Sequence, residues 1–185
     1  MKHILYSLVL FLILPTWSLA FEVNHGGVSG GGGNVISPLG PTSSIDYESA
    51  EHVVYHSHKA ALEYVSRKKE AFFAKQMTPE QIIAFAPVFN SEKNIESVMT
   101  EVRMYVKDHS TCRDADQKPV DGSIVNPVPD SICISAFNIA NKTDAADIPP
   151  QSTALILHEY GELIGLTEAQ AVMLQTLVLE ELRGL

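Results

Sequence analysis

A run of fifteen residues near the carboxyl end of the chain, Ala154–Glu168, constrains the fold more than any other stretch. Its apolar residues recur at the three- and four-residue spacing of a helix with one buried face. His158 and Glu162 are four residues apart, which places their side chains one turn apart on the same side of that helix. Gly165 follows where helices commonly end in a left-handed residue. We therefore predict a helix that carries His158 and Glu162 and ends at Gly165.

A second helix is predicted directly after this turn. Thr167-Glu168-Ala169-Gln170 has the pattern of a capping box, and apolar residues continue to about Arg183. Two helices joined by so short a connection pack as antiparallel partners. The turn between them is expected to bring Glu168 back toward His158 and Glu162.

These residues resemble the active-site helix of the zincin metallopeptidases, in the metzincin-like form His-Glu-x-x-His-x-x-Gly-x-x-His/Asp. The resemblance implies that His158 is a metal ligand and that Glu159 is the general base that activates a metal-bound water. It also implies that Gly165 makes the structural turn. Glu162 stands in place of the second histidine of the pattern, and Glu168 in place of its last His or Asp.

The resemblance covers Ala154–Gln170 and implies a metal site built from His158, Glu162 and Glu168. Glutamate is an accepted zinc ligand, and two carboxylates with one imidazole also suit harder cations such as manganese or calcium. The expected cofactor is zinc, another divalent metal or none. Further candidate ligands elsewhere in the chain are His52, His56, His109, Glu180 and Glu181.

Two functions follow from the resemblance, and both stay open. The first is an exported metal-dependent peptidase that acts on a peptide or protein substrate. The second is a catalytically inactive module of zincin-like fold that binds a protein or a component of the cell envelope. Short motifs also arise by accident. The alternative without a function is therefore an ordinary amphipathic helix whose charged residues face water.

The first twenty residues are organised as a cleavable signal peptide. Lys2 is followed by the apolar run Ile4–Leu14 and by a small-residue cleavage site at Ser18–Ala20. We predict a cut after Ala20, a secreted or periplasmic protein, and no transmembrane segment after removal of the signal. The formal net charge of −9 becomes −10 when Lys2 is removed, which argues against nucleic acid as a partner.

The rest of the sequence predicts an α+β fold that is mostly helical with a small sheet. Residues 21–44 are rich in glycine and proline and are predicted to be flexible, whereas 45–185 are expected to form a single domain, which the resemblance implies is zincin-like. Periodicity and caps predict helices over 44–76 and from 78 to about 85, and strands over 101–106 and 131–137. By resemblance, the last strand runs at the sheet edge beside the active-site helix and holds an extended substrate.

The chain has two cysteines, Cys112 and Cys133. An even pair in an exported protein usually forms a disulfide, which here would close the polar, turn-rich segment 108–130. Two thiolates on a metal are the weaker alternative, because the spacing is not that of a Cys-x-x-Cys knuckle.

Overall fold

The computed structural model describes residues 33–36, 45–125 and 131–184, so the predicted signal peptide and most of 21–44 lie outside the described residues. Helices dominate these ranges and are joined by short strands, as the sequence predicted. None of the described helices is long and apolar enough to cross a membrane. The elements in chain order are α1 Tyr47–Phe73, α2 Pro79–Phe89, α3 Ile95–Glu101, β1 Arg103–Lys107, β2 Cys112–Arg113, β3 Pro119–Val120, β4 Gly122–Val125, β5 Ser131–Ser135, α4 Ala136–Lys142, a 3-10 turn Ala145–Asp147, α5 Ile148–Leu163 and α6 Glu168–Arg183.

Local sequence signals account for the helix ends. Thr78 and Thr167 each cap a helix through a reciprocal capping box with the glutamine three residues later, as predicted for α2 and α6. Helix α2 continues through Pro87 to Phe89, beyond the predicted end near Phe85. A proline in the last turn removes only one backbone hydrogen bond, and the buried side chains around it hold that turn against the core.

The main sheet has the strand order β1-β5-β4, with β5 parallel to β1 and antiparallel to β4. All five residues of β5 are buried. The prediction that this strand forms the sheet edge beside the active-site helix is therefore wrong, because β5 has a partner on both sides. The edge strand that contacts α5 is β4, which lies in a segment predicted to be loop. Its four residues, starting with Gly122, are too few to show a clear alternation of apolar and polar positions.

The predicted disulfide is present and joins Cys112 in β2 to Cys133 in β5. The two cysteines and Val120 form a small buried cluster that is separate from the main core. The bond therefore fixes the two-stranded β2–β3 hairpin to the central strand of the sheet.

Helix α5 runs through the centre of the main core, where it packs against α1, α6 and the sheet. Thirteen of its sixteen residues are buried, and His158 and Glu159 are among them. Tyr160 fixes α5 to its neighbours, because its hydroxyl donates to the Val102 carbonyl oxygen and lies 3.1 Å from His58 Nε2 on α1. The fold thus places ionisable side chains of α5 in the interior.

Replacing both cysteines by serine should lower the free energy of unfolding by about 3 kcal/mol, because the disulfide closes a loop with a sequence separation of 21. Denaturant unfolding of the oxidised chain and of the Cys112→Ser/Cys133→Ser variant measures the difference. The reduced wild type controls for the serine hydroxyls and should match the variant. Equal stability of all three would contradict the prediction.

The pKa of His58 is lowered from its usual 6.5 because the ring is partly buried, and a hydrogen bond with the Met99 backbone opposes this shift. The unfolded chain therefore binds more protons below about pH 6.5, so this contribution to stability is complete above that pH and is lost as the pH falls through the lower, folded-state pKa. We expect His58→Gln to flatten the decline in unfolding free energy between about pH 7 and pH 5. His56→Gln, an exposed histidine on the same helix, is the control, and equal changes in both variants would contradict the prediction.

Candidate metal centre

Three side chains from α5 and α6 converge on one point. His158 Nε2 lies 4.0 Å from Glu162 Oε2 and 3.7 Å from Glu168 Oε2, and the three donor atoms all lie within 4.8 Å of one another. Ligand atoms at about 2.0–2.1 Å from a tetrahedral zinc are roughly 3.3 Å apart, so a small contraction of this group suits a cation. In the described part of the chain, this is the one group of three or more metal-ligating side chains close enough to share an ion.

The convergence is produced by the turn that the sequence predicts. His158 and Glu162 lie one helical turn apart on α5. Gly165 has a φ of +100°, a left-handed conformation that side chains other than glycine rarely adopt. Its amide donates to the Glu162 carbonyl oxygen, and the next amide donates to the carbonyl oxygen of Gly161. The chain reverses there, and Glu168 enters from the first turn of α6.

Several polar atoms of this group are buried without a hydrogen-bond partner in the protein. They are His158 Nδ1, His158 Nε2, Glu159 Oε2 and Glu162 Oε2. Buried polar atoms nearly always have a hydrogen-bond partner. When several nitrogen and oxygen atoms in one place have none, a bound cation is one of the few explanations. The donor set of one imidazole and two carboxylates therefore fits a divalent metal ion.

The electrostatics agree with this interpretation. Burial lowers the pKa of His158, but the carboxyl groups of Glu168, Glu159 and Glu162 outweigh it and the net shift is upward. Burial, together with Glu168, raises the pKa of Glu162 to about 7. The distance of 3.7 Å from His158 to Glu168 exceeds a hydrogen bond, so their attraction is mainly that of charges. A bound cation would favour the ionised forms of these carboxyl groups, which burial disfavours.

Glu159 lies beside this group in a closely packed environment. Its Oε1 accepts a hydrogen bond of 2.8 Å from the Gly33 amide, and Gly33 and Gly122 both press their backbones against its side chain. A β-carbon at Gly122 would lie only 2.5 Å from Oε1. Burial raises the pKa of Glu159 to about 8, against the opposing effect of His158. This carboxyl group is therefore placed in the interior next to the candidate metal ligands.

The other candidate ligands are not brought to this centre. His52 and His56 are exposed on α1, and the side chain of His109 is 76% exposed beside Asp108. Glu180 is also exposed, and Glu181 accepts a hydrogen bond of 2.6 Å from the Tyr64 hydroxyl.

The short segment Gly33–Ile36 is part of the centre, and sequence analysis missed it. It falls in the stretch predicted to be flexible, yet these four residues are hydrogen-bonded to α5, α6, β4 and the residue before β4. Gln151 and Gln175, which hold it, were also missed. Both glutamines are buried on helices, and an uncharged polar residue on an otherwise apolar helix face is the signal that points to them.

We expect one zinc or manganese ion to bind per chain, because three donor atoms already converge. At a free metal concentration of about 100 times Kd, binding should stabilise the fold by about 2.7 kcal/mol. Isothermal titration calorimetry and thermal unfolding with and without the metal measure both effects. His158→Ala should abolish them, whereas His52→Ala, at an exposed position, should not.

Glu162→His is a second test of the same metal site, because imidazole is a better zinc ligand than carboxylate. The variant should bind zinc more tightly than the wild type. Unchanged affinity would place residue 162 outside the coordination sphere, and no binding to the wild type would exclude the metal centre.

Comparison of the chain with protein-family models, curated proteins and solved structures finds no match. The assignment of the centre therefore depends on the geometry and charge of its own residues.

Proposed function

We propose that the protein is a metal-dependent peptidase of zincin type, with His158, Glu162 and Glu168 as metal ligands. The observation that carries this proposal is the convergence of three donor atoms, two of them buried without a partner, beside the buried carboxyl group of Glu159. Three protein ligands leave a coordination position open. A cation bound there would supply Lewis-acid polarisation and would lower the pKa of a water molecule.

Glu159 is the proposed general base. Its Oε2 has no hydrogen-bond partner in the protein and is free to accept a proton. With a pKa raised to about 8, chiefly by burial, the carboxyl group is largely neutral at pH 7 when no cation is bound. A nearby cation favours the ionised form, so metal binding and the readiness of Glu159 to take a proton are coupled. The same group then returns the proton to the leaving amine.

A peptide is the substrate class that the edge of the sheet supports. The Gly122 amide donates outward, away from β5, to the Gly33 carbonyl oxygen. Because hydrogen-bonding direction alternates along an antiparallel strand, Ile124 presents its backbone groups to the same edge. An extended peptide added there would lie between β4 and α5, next to His158 and Glu159.

The second candidate function is a catalytically inactive module of zincin-like fold that binds a protein or an envelope component. Two observations favour it: the Gly33 backbone covers Glu159, and two carboxylate ligands in place of imidazoles weaken the Lewis acidity of a metal. An exported location, from the predicted signal peptide, is part of both proposals.

Glu159→Gln separates the two functions. If the metal-loaded wild type hydrolyses peptides, the substitution should lower kcat by about a hundredfold or more, because general-base catalysis contributes factors of that size. The metal should still bind, because Glu159 is not one of the proposed ligands. Digestion of a mixed peptide library, followed by mass spectrometry, measures the activity.

Glu180→Gln makes the same chemical change at an exposed position of α6 and is the matched control. Retained activity in Glu159→Gln would remove this residue as the base. If no metal-loaded form hydrolyses peptides, the result favours the catalytically inactive module.

A further inference from the structure

The segment Gly33–Ile36 occupies the groove between β4 and α5. Its Asn34 carbonyl oxygen accepts from Gln175 Nε2 at 2.8 Å, and its Val35 amide donates to Asp121 Oδ2 at 2.9 Å. The Ile36 amide donates to Gln151 Oε1 at 3.0 Å, and the Ile36 carbonyl oxygen accepts from the amide of the same side chain. With the bonds of Gly33 to Glu159 and Gly122, every residue of the segment is held through its backbone.

The groups that hold this segment are themselves fixed. Asp121 is fully buried and paired with Lys142, whose Nζ lies 2.5 and 2.8 Å from its two carboxylate oxygens. Gln151 and Gln175 are buried on α5 and α6. The hydrogen bonds are made to backbone atoms, and the partly buried side chains of Val35 and Ile36 pack against the core beside them. The groove therefore holds an extended chain through its backbone and through these two apolar side chains.

The segment runs antiparallel to both walls of the groove. Gly33 lies opposite Gly122 and Glu159. Val35 reaches Asp121, the residue before β4, and Ile36 reaches Gln151, which precedes Glu159 in α5. Eight residues of helix rise about 12 Å, and three extended residues cover about 10 Å. The two lengths are close, so the segment follows α5 as an extended stretch of chain.

The position of Gly33 accepts only glycine. A β-carbon there would lie 2.7 Å from Glu159 Oε1, 2.7 Å from Leu155 Cδ1 and 3.0 Å from His158 Cδ2. These atoms belong to buried side chains of α5, so a β-carbon at this position would have to displace them within a packed interior. Gly33 is not among the residues with positive φ, so space rather than backbone conformation excludes a side chain.

We propose that the groove between β4 and α5 binds an extended peptide with glycine at the position of Gly33, and that Gly33–Ile36 is its tethered, self-inhibitory occupant. This inference rests on the proposed peptidase function and names its substrate class. The Gly33 nitrogen lies 2.8 Å from Oε1 of Glu159, and this carboxyl group is the one that returns a proton to a leaving amine. The bond cleaved is therefore the one on the amino side of the substrate glycine.

The reaction is a hydrolysis and consumes one water. The hydroxyl group of the water adds to the carbonyl carbon, the carbon–nitrogen bond breaks, and the proton taken up by Glu159 is delivered to the glycine nitrogen. The segment Gly33–Ile36 must first leave the groove, because two chains cannot use Gly122, Gln151 and Gln175 at once.

Displacing the tethered segment in the full chain tests this proposal. Gly33→Val inserts a side chain where none fits, and Val35→Pro removes the amide that donates to Asp121. Both should increase the affinity for a dye-labelled peptide Gly-Gly-Asn-Val-Ile by about tenfold or more, because a tethered competitor acts at an effective concentration in the millimolar range. Fluorescence anisotropy measures the affinity. Asn34→Ala keeps all the backbone contacts and should bind the peptide as weakly as the wild type does.

A second measurement needs no variant. Excess peptide added to the wild type should accelerate hydrogen exchange at the Gly33, Val35 and Ile36 amides, observed by NMR, because it displaces the segment. The peptide Gly-Val-Asn-Val-Ile, with valine at the critical position, should not. Equal binding of the two peptides, or no gain of affinity in both displaced variants, would overturn the proposal.

The outcome for catalysis is separate. Glycine-dependent binding without hydrolysis in any metal-loaded form would support the glycine-selective groove and contradict the peptidase function. Hydrolysis with no preference for the amino side of glycine, identified by mass spectrometry of the products, would support the peptidase function and contradict the glycine-selective groove. If both hold, Gly33→Val and Val35→Pro should show a kcat/KM at least about tenfold above that of the wild type, as the competitor is lost.

Discussion

Helix α5 carries an imidazole and a carboxyl group into the centre of the core, and the other features of the molecule are arranged around them. His158 and Glu159 have no exposed surface, although burying a charge is costly unless a partner compensates it. The compensation comes from neighbours on three elements: Glu162 on α5, Glu168 on α6 and the Gly33 amide. The pKa values of Glu159 and Glu162 are nevertheless raised, because burial disfavours the charged forms more than these neighbours favour them.

Three glycines allow the backbone to come close to the side chains of Glu159 and His158. Gly33 and Gly122 leave the space that the Glu159 side chain fills, and Gly165 supplies the left-handed turn that returns the chain to His158. The three glycines act for two different reasons, lack of a side chain in the first two and backbone conformation in the third. Together they bring a sheet edge, a helix pair and an extended segment to one site.

The groove between β4 and α5 joins the candidate metal centre to the segment Gly33–Ile36. Its walls bind backbone atoms of every residue of this segment, and the Gly33 amide donates to the carboxyl group of Glu159. At Gly33, the close approach of Glu159, Leu155 and His158 leaves little space for a side chain. The same contact covers the carboxyl group of Glu159.

The local features could be predicted from the residues alone: α1, α5 and α6, the capping boxes at Thr78 and Thr167, the turn at Gly165 and the convergence of His158 with Glu162 and Glu168. They depend on residues that are close to each other in the chain, where spacing fixes geometry. Three other features depend on how distant segments pack: β4 is the edge strand, β5 is central, and Gly33 reaches Glu159 across 126 residues of chain. Strand partners and close backbone contacts are set by non-local packing, which four-residue strands and isolated glycines do not encode in their own spacing.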